Sequence, residues 1–235
     1  MNTNKKILVS DYDQTFYLND EDIEINKKAV DSFRKEGNIF VIATGRSYFD
    51  FHNKVNMYNF DYDYVIINHG ATILDKNDNV FVNFSINDNV INNIKEDLQL
   101  EKSIGGFCCS KLESRVDFEH NDLTKINVKY NTKEESMAIN EIINNKYSDE
   151  VNSYYVTENS LEIISNKTNK SNAINLLIDR LNLLQKNVYT IGDGYSDIEM
   201  IKDFNGYAMV NSVDEIKQVA IKEYESVSHL IDEII

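Results

Sequence analysis

Short, almost wholly apolar runs recur along the first part of the chain, each followed by a polar stretch with helical spacing. The first run, KILVS at 6–10, ends in two aspartates one residue apart. From about Asn26, an N-cap by residue type, Ala29, Val30 and Phe33 share one helical face, and Gly37 supplies a stop. IFVIAT at 39–44 is apolar over nearly its whole length, as expected of a strand covered on both faces. RSYFDFHNKVNMY at 46–58 reads as a helix, and YVIIN at 64–68 as a third strand.

After about residue 75 the runs shorten and Asn-rich polar pieces take over. Alternation in RVDFEHND at 115–122 and in INVKYN at 126–131 predicts antiparallel strands with helices between them. From about Ser165 the first style returns. A helix is predicted over 169–183, with Ile174, Leu177, Ile178 and Leu181 in register. The strand VYTIG at 188–192, a short helix SDIEMIKDF at 196–204, a strand GYAMVN at 206–211 and two terminal helices follow. The pattern predicts an α/β parallel-sheet core from residues 1–77 and 163–235, split by a smaller α+β insertion at 78–162.

Composition narrows the function. In 235 residues with 42% hydrophobic content there is material for one full core and a smaller second unit. A net charge of -15 argues against nucleic-acid and anionic-membrane partners, but not against a small phosphorylated ligand held with a cation. No run reaches membrane-spanning length and the start lacks a signal-peptide pattern, so a cytoplasmic protein is expected. The acidic surface disfavours loose self-association, which leaves a monomer or a specific homodimer. The adjacent Cys108 and Cys109 are expected as two reduced, partly buried thiols.

Candidate chemistry collects at the predicted strand ends, where open parallel sheets bind ligands. Asp11, Asp13 and Thr15 follow the first strand, and Thr44, Gly45 and Arg46 follow the second. Asn68, His69, Gly70 and Ala71 follow the third, and Gly192 to Asp197 follow the strand at 188–192, with Lys170 opening the helix before it. Singly, each piece is a common turn or surface pattern; their consistent order at successive strand ends gives them weight. Four aspartates around one point repel one another unless neutralised. A hard divalent cation such as Mg2+ resolves this and lets a phosphate approach. Thr44 and Lys170 then offer a hydroxyl donor and a positive charge to phosphoryl oxygens. One carboxylate can act as nucleophile, and a second two residues on can move the proton of the leaving oxygen.

DYDQT at 11–15, ATGR at 43–46, NHGA at 68–71, LEIISNKTNKSNAI at 161–174 and IGDGYSDIEMI at 191–201 together resemble the haloacid dehalogenase-like phosphatase superfamily, in its Cof-type sugar-phosphatase branch. The resemblance implies a Rossmann-like, three-layer α/β/α core carrying an inserted cap that selects substrate. It also implies Mg2+-dependent hydrolysis of a small phosphomonoester, a sugar phosphate or phosphorylated cofactor, through an aspartyl-phosphate. By motif, Asp11 resembles the nucleophile and Asp13 the general acid/base. Thr44, Gly45 and Lys170 resemble the phosphate ligands. Asp193 and Asp197 resemble the metal-holding acids, completed by the Asp11 carboxylate and the Asp13 backbone carbonyl.

Three positions depart from that pattern: Gln14 stands where the branch has glycine, Ser196 where it has asparagine, and His69 where it has the asparagine of an Asn-Gly-Ala turn. Arg46 is expected either to touch substrate or to pair with a nearby acid, and His69 to be a turn residue or a substrate contact. The stretch Gly105–Gly106–Phe107 is expected as a loop facing the site or a tight turn. Two other functions share the residues: a phosphotransferase or sugar phosphomutase, and a non-catalytic phosphometabolite sensor. The full set of acids argues against the sensor.

Overall fold

Four apolar strands pack side by side because their runs leave no polar face to offer to water. The computed structural model describes residues 5–157 and 159–235. The chain opens with β1 (Ile7–Ser10), α1 (Asp20–Lys35), β2 (Ile39–Ala43), α2 (Tyr48–Tyr58) and β3 (Tyr64–Ile67). It then turns back antiparallel through β4 (Thr72–Asp75) and β5 (Val80–Asn83). A smaller unit follows: α3 (Asp88–Asp97), β6 (Gly105–Ser110), β7 (Ser114–Val116), β8 (Leu123–Lys129), α4 (Lys133–Tyr147), β9 (Val151–Thr157) and β10 (Ser160–Ser165). The chain returns with α5 (Lys170–Leu181), β11 (Val188–Gly192), α6 (Ile198–Asp203), β12 (Asn205–Met209), α7 (Asp214–Lys217), β13 (Glu223–Tyr224) and α8 (Val227–Ile234).

The large sheet has eight strands in the order β13-β12-β11-β1-β2-β3-β4-β5, parallel from β13 to β3. Alternate side chains feed two layers. Leu8, Phe40, Ile42, Val65 and Ile67 pack with α1 and α8, while Ile7, Val9, Val41 and Ile66 pack with α5 and α6 on the opposite face. The α/β/α sandwich is therefore present. After β5 the chain leaves for the smaller unit and re-enters on the other side of β1, so the strand order reverses between β1 and β11. A crevice opens at such a point, beyond the carboxyl ends of the strands.

The smaller unit is a five-stranded antiparallel sheet, order β7-β6-β8-β10-β9, backed on one face by α3 and α4. Period-two alternation divides its residues. Ile126, Val128, Leu161 and Ile163 point into that backing core, which leaves Lys125, Asn127 and Glu162 for the face turned toward the large sheet. Polar contacts tie the two units: Ser114 donates from Oγ to Ser47 Oγ at 2.8 Å and accepts from the Phe49 amide at 3.1 Å.

Several expectations need correction. α1 starts six residues before Asn26, capped by Asn19, whose side chain accepts from the Glu21 and Asp22 amides. The acids Asp20, Glu21 and Asp22 suit the positive end of the helix dipole. Asn26 is buried instead and bridges the Phe16 carbonyl and the Ser228 amide. In RVDFEHND only the first residues are strand, and the rest turns. Gly105–Phe107 is neither loop nor tight turn but the start of β6. Strand β5 pairs in the large sheet and β10 runs to Ser165, so the strands of the two sheets change over at 84–104 and after 165. The two-residue strand β13 lies between the terminal helices.

Candidate active site

The crevice at the reversal point holds a cavity of about 760 Å3. Of the residues gathered at the strand ends, Asp11, Asp13, Thr44, Gly45, Arg46, His69, Lys170, Asp193, Ser196 and Asp197 line it, whereas Thr15, Asn68, Gly70 and Ala71 do not.

β1 delivers the first two acids. Asp11 and Asp13 reach the cavity, whereas Tyr12 between them is fully buried among Phe16, Phe51 and Phe60 on the other side. The Asp11 amide donates to the Ile191 carbonyl of β11 at 2.9 Å, which fixes the carboxylate at the reversal point. The turn that follows puts Gln14 at φ 61, in the left-handed region where glycine carries no steric penalty.

Asp11, Asp193 and Asp197 each offer an oxygen within 4.8 Å of the others. Lys170, 2% exposed at the first position of α5, donates to Asp11 Oδ1 at 2.6 Å and to Asp197 Oδ1 at 2.5 Å. Asp197 also accepts, through Oδ2, from the Asp193 and Gly194 amides at 3.2 and 3.0 Å. Thr15 donates to Asp193 Oδ1 at 2.7 Å. Burial pushes the Asp11 carboxyl well above its ordinary range, and the neighbouring Asp197 and Asp193 add to this against the pull of Lys170. Burial, followed by the Asp197 charge, raises Asp193 to about 6. Burial alone would lower Lys170, but Asp11 and Asp197 outweigh it and hold the ammonium charged. One ammonium against three carboxylates leaves a deficit of two positive charges, which a divalent cation with hard oxygen ligands matches.

The second loop carries Thr44, whose Oγ1 accepts from the Arg46 amide at 3.1 Å. That bond uses a lone pair and leaves the hydroxyl proton free to donate. Arg46 does pair with an acid: its Nε and Nη2 grip Asp13 Oδ2 and Oδ1 at 2.8 and 2.7 Å. The guanidinium lies 5.4 Å from the centre of the Tyr12 ring.

His69 occupies a left-handed position, φ 56, in the short turn Asn68–Gly70. It is a turn residue with a further partner, Glu162 of β10, whose Oε2 lies 2.6 Å from His69 Nε2. Its ring fills the space beside Gly45, where any β-carbon would run into it. Burial lowers the His69 pKa against the pull of Glu162, and because a carboxylate oxygen only accepts, Nε2 is the donor of this bond. Glu162 Oε1 accepts from Lys125 Nζ at 2.8 Å and from Asn127 Nδ2 at 3.1 Å. Burial opposes its charge, yet Lys125 and His69 overcome this and hold the carboxyl at about 2. Sequence reasoning did not single out Lys125 or Glu162. Alternation places each on the polar face of its strand, but nothing local says what that face meets. The smaller unit also presents Phe107, Tyr154, Tyr155 and Val156 to the cavity.

Cys108 and Cys109 are free thiols, and they are fully rather than partly buried, with burial pushing Cys108 up to about 12. Among the described residues, no helix is long and apolar enough to cross a membrane.

The curated "Putative phosphatase" of Buchnera aphidicola is 24% identical over 265 residues, covering 97% of each chain. A haloacid dehalogenase-like hydrolase from B. subtilis superposes with a TM-score of 0.85 at 19% identity, over 98% of this chain and 100% of the other. A haloacid dehalogenase-like hydrolase from Bacteroides thetaiotaomicron gives a TM-score of 0.82 at 17% identity, over 98% of this chain and 100% of the other. The family model described as haloacid dehalogenase-like hydrolase matches residues 8–116 and 109–229, which include every residue of the rim, and the chain therefore belongs to the haloacid dehalogenase-like hydrolases, a family of enzymes.

Proposed function

We propose that the protein hydrolyses a small phosphomonoester through an aspartyl-phosphate on Asp11, with Mg2+ as cofactor and substrate selected by a cap formed by the smaller unit between β5 and α5. The observation that carries this reading is the set of buried Asp11, Asp197 and Lys170 with the half-buried Asp193 at the reversal point of a parallel sheet. Asp11 and Lys170 together suit attack on a phosphoryl group, because the ammonium bonded to Asp11 Oδ1 also stabilises charge gathering on phosphoryl oxygens. The Asp11 carboxylate attacks phosphorus, the ester P–O bond breaks, and the leaving oxygen takes a proton from Asp13. Water then attacks the same phosphorus and gives its proton to Asp13, which frees Asp11 and inorganic phosphate. Asp13 has to leave the two-point grip of Arg46 and take up a proton from solvent before it can protonate the leaving oxygen.

Asp11, Asp193 and Asp197 fit a divalent cation by donor type and spacing, and such a cation, when bound, would neutralise the acids and screen an incoming dianion. Thr44 Oγ1 supplies a hydroxyl donor to the phosphoryl group. Ser196, which lines the cavity beside these acids, is a further candidate donor to substrate. A cavity of about 760 Å3 suits a small metabolite, and Phe107, Tyr154 and Tyr155 favour a leaving group with an apolar or planar face.

The test is release of inorganic phosphate from a panel of phosphorylated metabolites, with Mg2+ and with EDTA. Asp11→Asn is expected to lower kcat by roughly a thousandfold or more, as for other nucleophile deletions. Undiminished activity in Asp11→Asn overturns the nucleophile assignment, and equal rates in EDTA overturn the cation. Turnover that needs an added bisphosphate favours a phosphomutase instead.

A further inference from the structure

Lys125 of β8 is 2% exposed, yet it spends one of its three donors outside its own unit. Its Nζ reaches the Gly45 carbonyl at 2.6 Å, while a second bond of 2.8 Å goes to Glu162 Oε1. The Phe107 ring centre lies 5.6 Å away. An ion pair wholly inside the smaller unit would satisfy Glu162 without that long reach, so the Gly45 contact asks for an explanation.

Gly45 sits in the middle of the second loop, and its carbonyl shares a peptide with the Arg46 amide. That amide is the donor to Thr44 Oγ1, at 3.1 Å. An ammonium on the carbonyl end of a peptide withdraws electron density and strengthens the N–H at the other end, as in any polarised chain of hydrogen bonds. The loop is anchored from the core side as well, since the His69 amide donates to the Thr44 carbonyl at 3.0 Å and the Asn68 amide to the Arg46 carbonyl at 2.9 Å. Three successive carbonyls, 44 to 46, are thus held by three separate donors. Only the middle one is held from the smaller unit, and only that one lies on the peptide whose N–H fixes Thr44 Oγ1.

We infer that Lys125 is a positioning residue for phosphoryl binding: it orients and polarises the Gly45–Arg46 peptide, which aims the Thr44 hydroxyl proton into the cavity. The inference rests on the reading of Thr44 as a phosphoryl donor, and it assigns a task in the reacting end of the site to a side chain of the smaller unit. Glu162, held in turn by His69 and Asn127, sets the position of Lys125. Seating of the smaller unit over the large sheet and completion of the phosphoryl site are then one event.

A double-mutant cycle tests this with inorganic phosphate as probe, its affinity measured calorimetrically in the presence of Mg2+, and with 4-nitrophenyl phosphate as a substrate of simple leaving group. Lys125→Met is expected to weaken phosphate binding and lower kcat/KM roughly tenfold when Thr44 is present, and less than twofold in Thr44→Val. An equal loss in both backgrounds, or no loss in either, overturns the inference, because a contact to substrate or a purely docking role does not pass through the Thr44 hydroxyl. Lys125→Met leaves the Glu162 carboxylate buried without its cation, so the cycle is repeated with Lys125→Met/Glu162→Gln, checked for folding by circular dichroism. The same non-additivity is expected there, and additivity overturns the inference equally. A wild-type protein that neither binds phosphate nor releases it from esters overturns the proposed function itself, a result visible before any substitution is made.

Discussion

Gln14 and Glu162 show how single side chains are set by surroundings that sequence does not display. Gln14 adopts φ 61 in the turn after the first acid, where a residue with a β-carbon bears about 1–2 kcal/mol of strain. Glycine removes that strain but adds unfolded-state entropy of about 0.5–1 kcal/mol. Gln14→Gly is therefore expected to raise stability by up to ~1 kcal/mol in urea unfolding, and a clear loss would show that the Gln14 side chain holds the turn. Glu162 is depressed from 4.5 to about 2, so its contribution to stability is complete above the unfolded value and disappears as pH falls through the folded one. At pH 7 Glu162→Gln is expected to cost on the order of 3 kcal/mol. That gap should narrow steadily between pH 5 and pH 3 in unfolding curves of the two proteins. A gap independent of pH would mean that Glu162 acts by packing rather than charge.

Elements meet through a few buried polar pins. Asn26 is fully buried within α1, donating to the Phe16 carbonyl at 2.9 Å and accepting from the Ser228 amide of α8 at 2.9 Å. It joins the loop after β1, the first helix and the last helix, which the apolar contacts among Ile23, Val30, Leu230 and Ile231 alone would allow to slide. Asn26→Ala strands two buried backbone groups and is expected to cost about 2–3 kcal/mol in urea, with kcat of the folded fraction unchanged. A loss below ~0.5 kcal/mol would mean that water replaces the amide. The same economy operates in the turn Asn68–Gly70. There Gly70, at φ 112, lies against the Asn169 carbonyl, and its own carbonyl accepts from Thr168 Oγ1 at 3.0 Å, so the turn seats the start of α5 that bears Lys170.

For the molecule as a whole, the sheet reversal gathers charges that neither half of the chain could hold alone. Asp11 comes from the first strand, and Asp193, Asp197 and Lys170 come from beyond residue 165. A ligand that binds only this assembled set stabilises the whole fold by mass action. Mg2+ at about ten times its Kd is expected to add about 1.4 kcal/mol, a rise in Tm of roughly 3–5 °C for a chain of this size. In Asp193→Asn the shift should fall by at least half. A Tm insensitive to millimolar Mg2+ would remove the cation from the site without any activity measurement.

The sequence by itself determined the alternation of buried strands and helices, because runs such as IFVIA tolerate water on neither face and force a covered parallel sheet. It also determined the acids, the hydroxyl and the amine at the carboxyl ends of those strands, since chain order and parallel pairing leave them no other rim. It was silent on where α1 begins, because an acidic first turn looks like a loop until a helix dipole is there to meet it. Partners were decided only by tertiary structure. Arg46 finds Asp13 across 33 positions, Lys125 finds Gly45 across 80, and His69 finds Glu162 across 93. Alternation along a strand fixes which face a side chain takes, but what that face meets depends on how two separate sheets are packed against each other. That packing is the summed result of contacts far apart in the chain, and no local pattern encodes it.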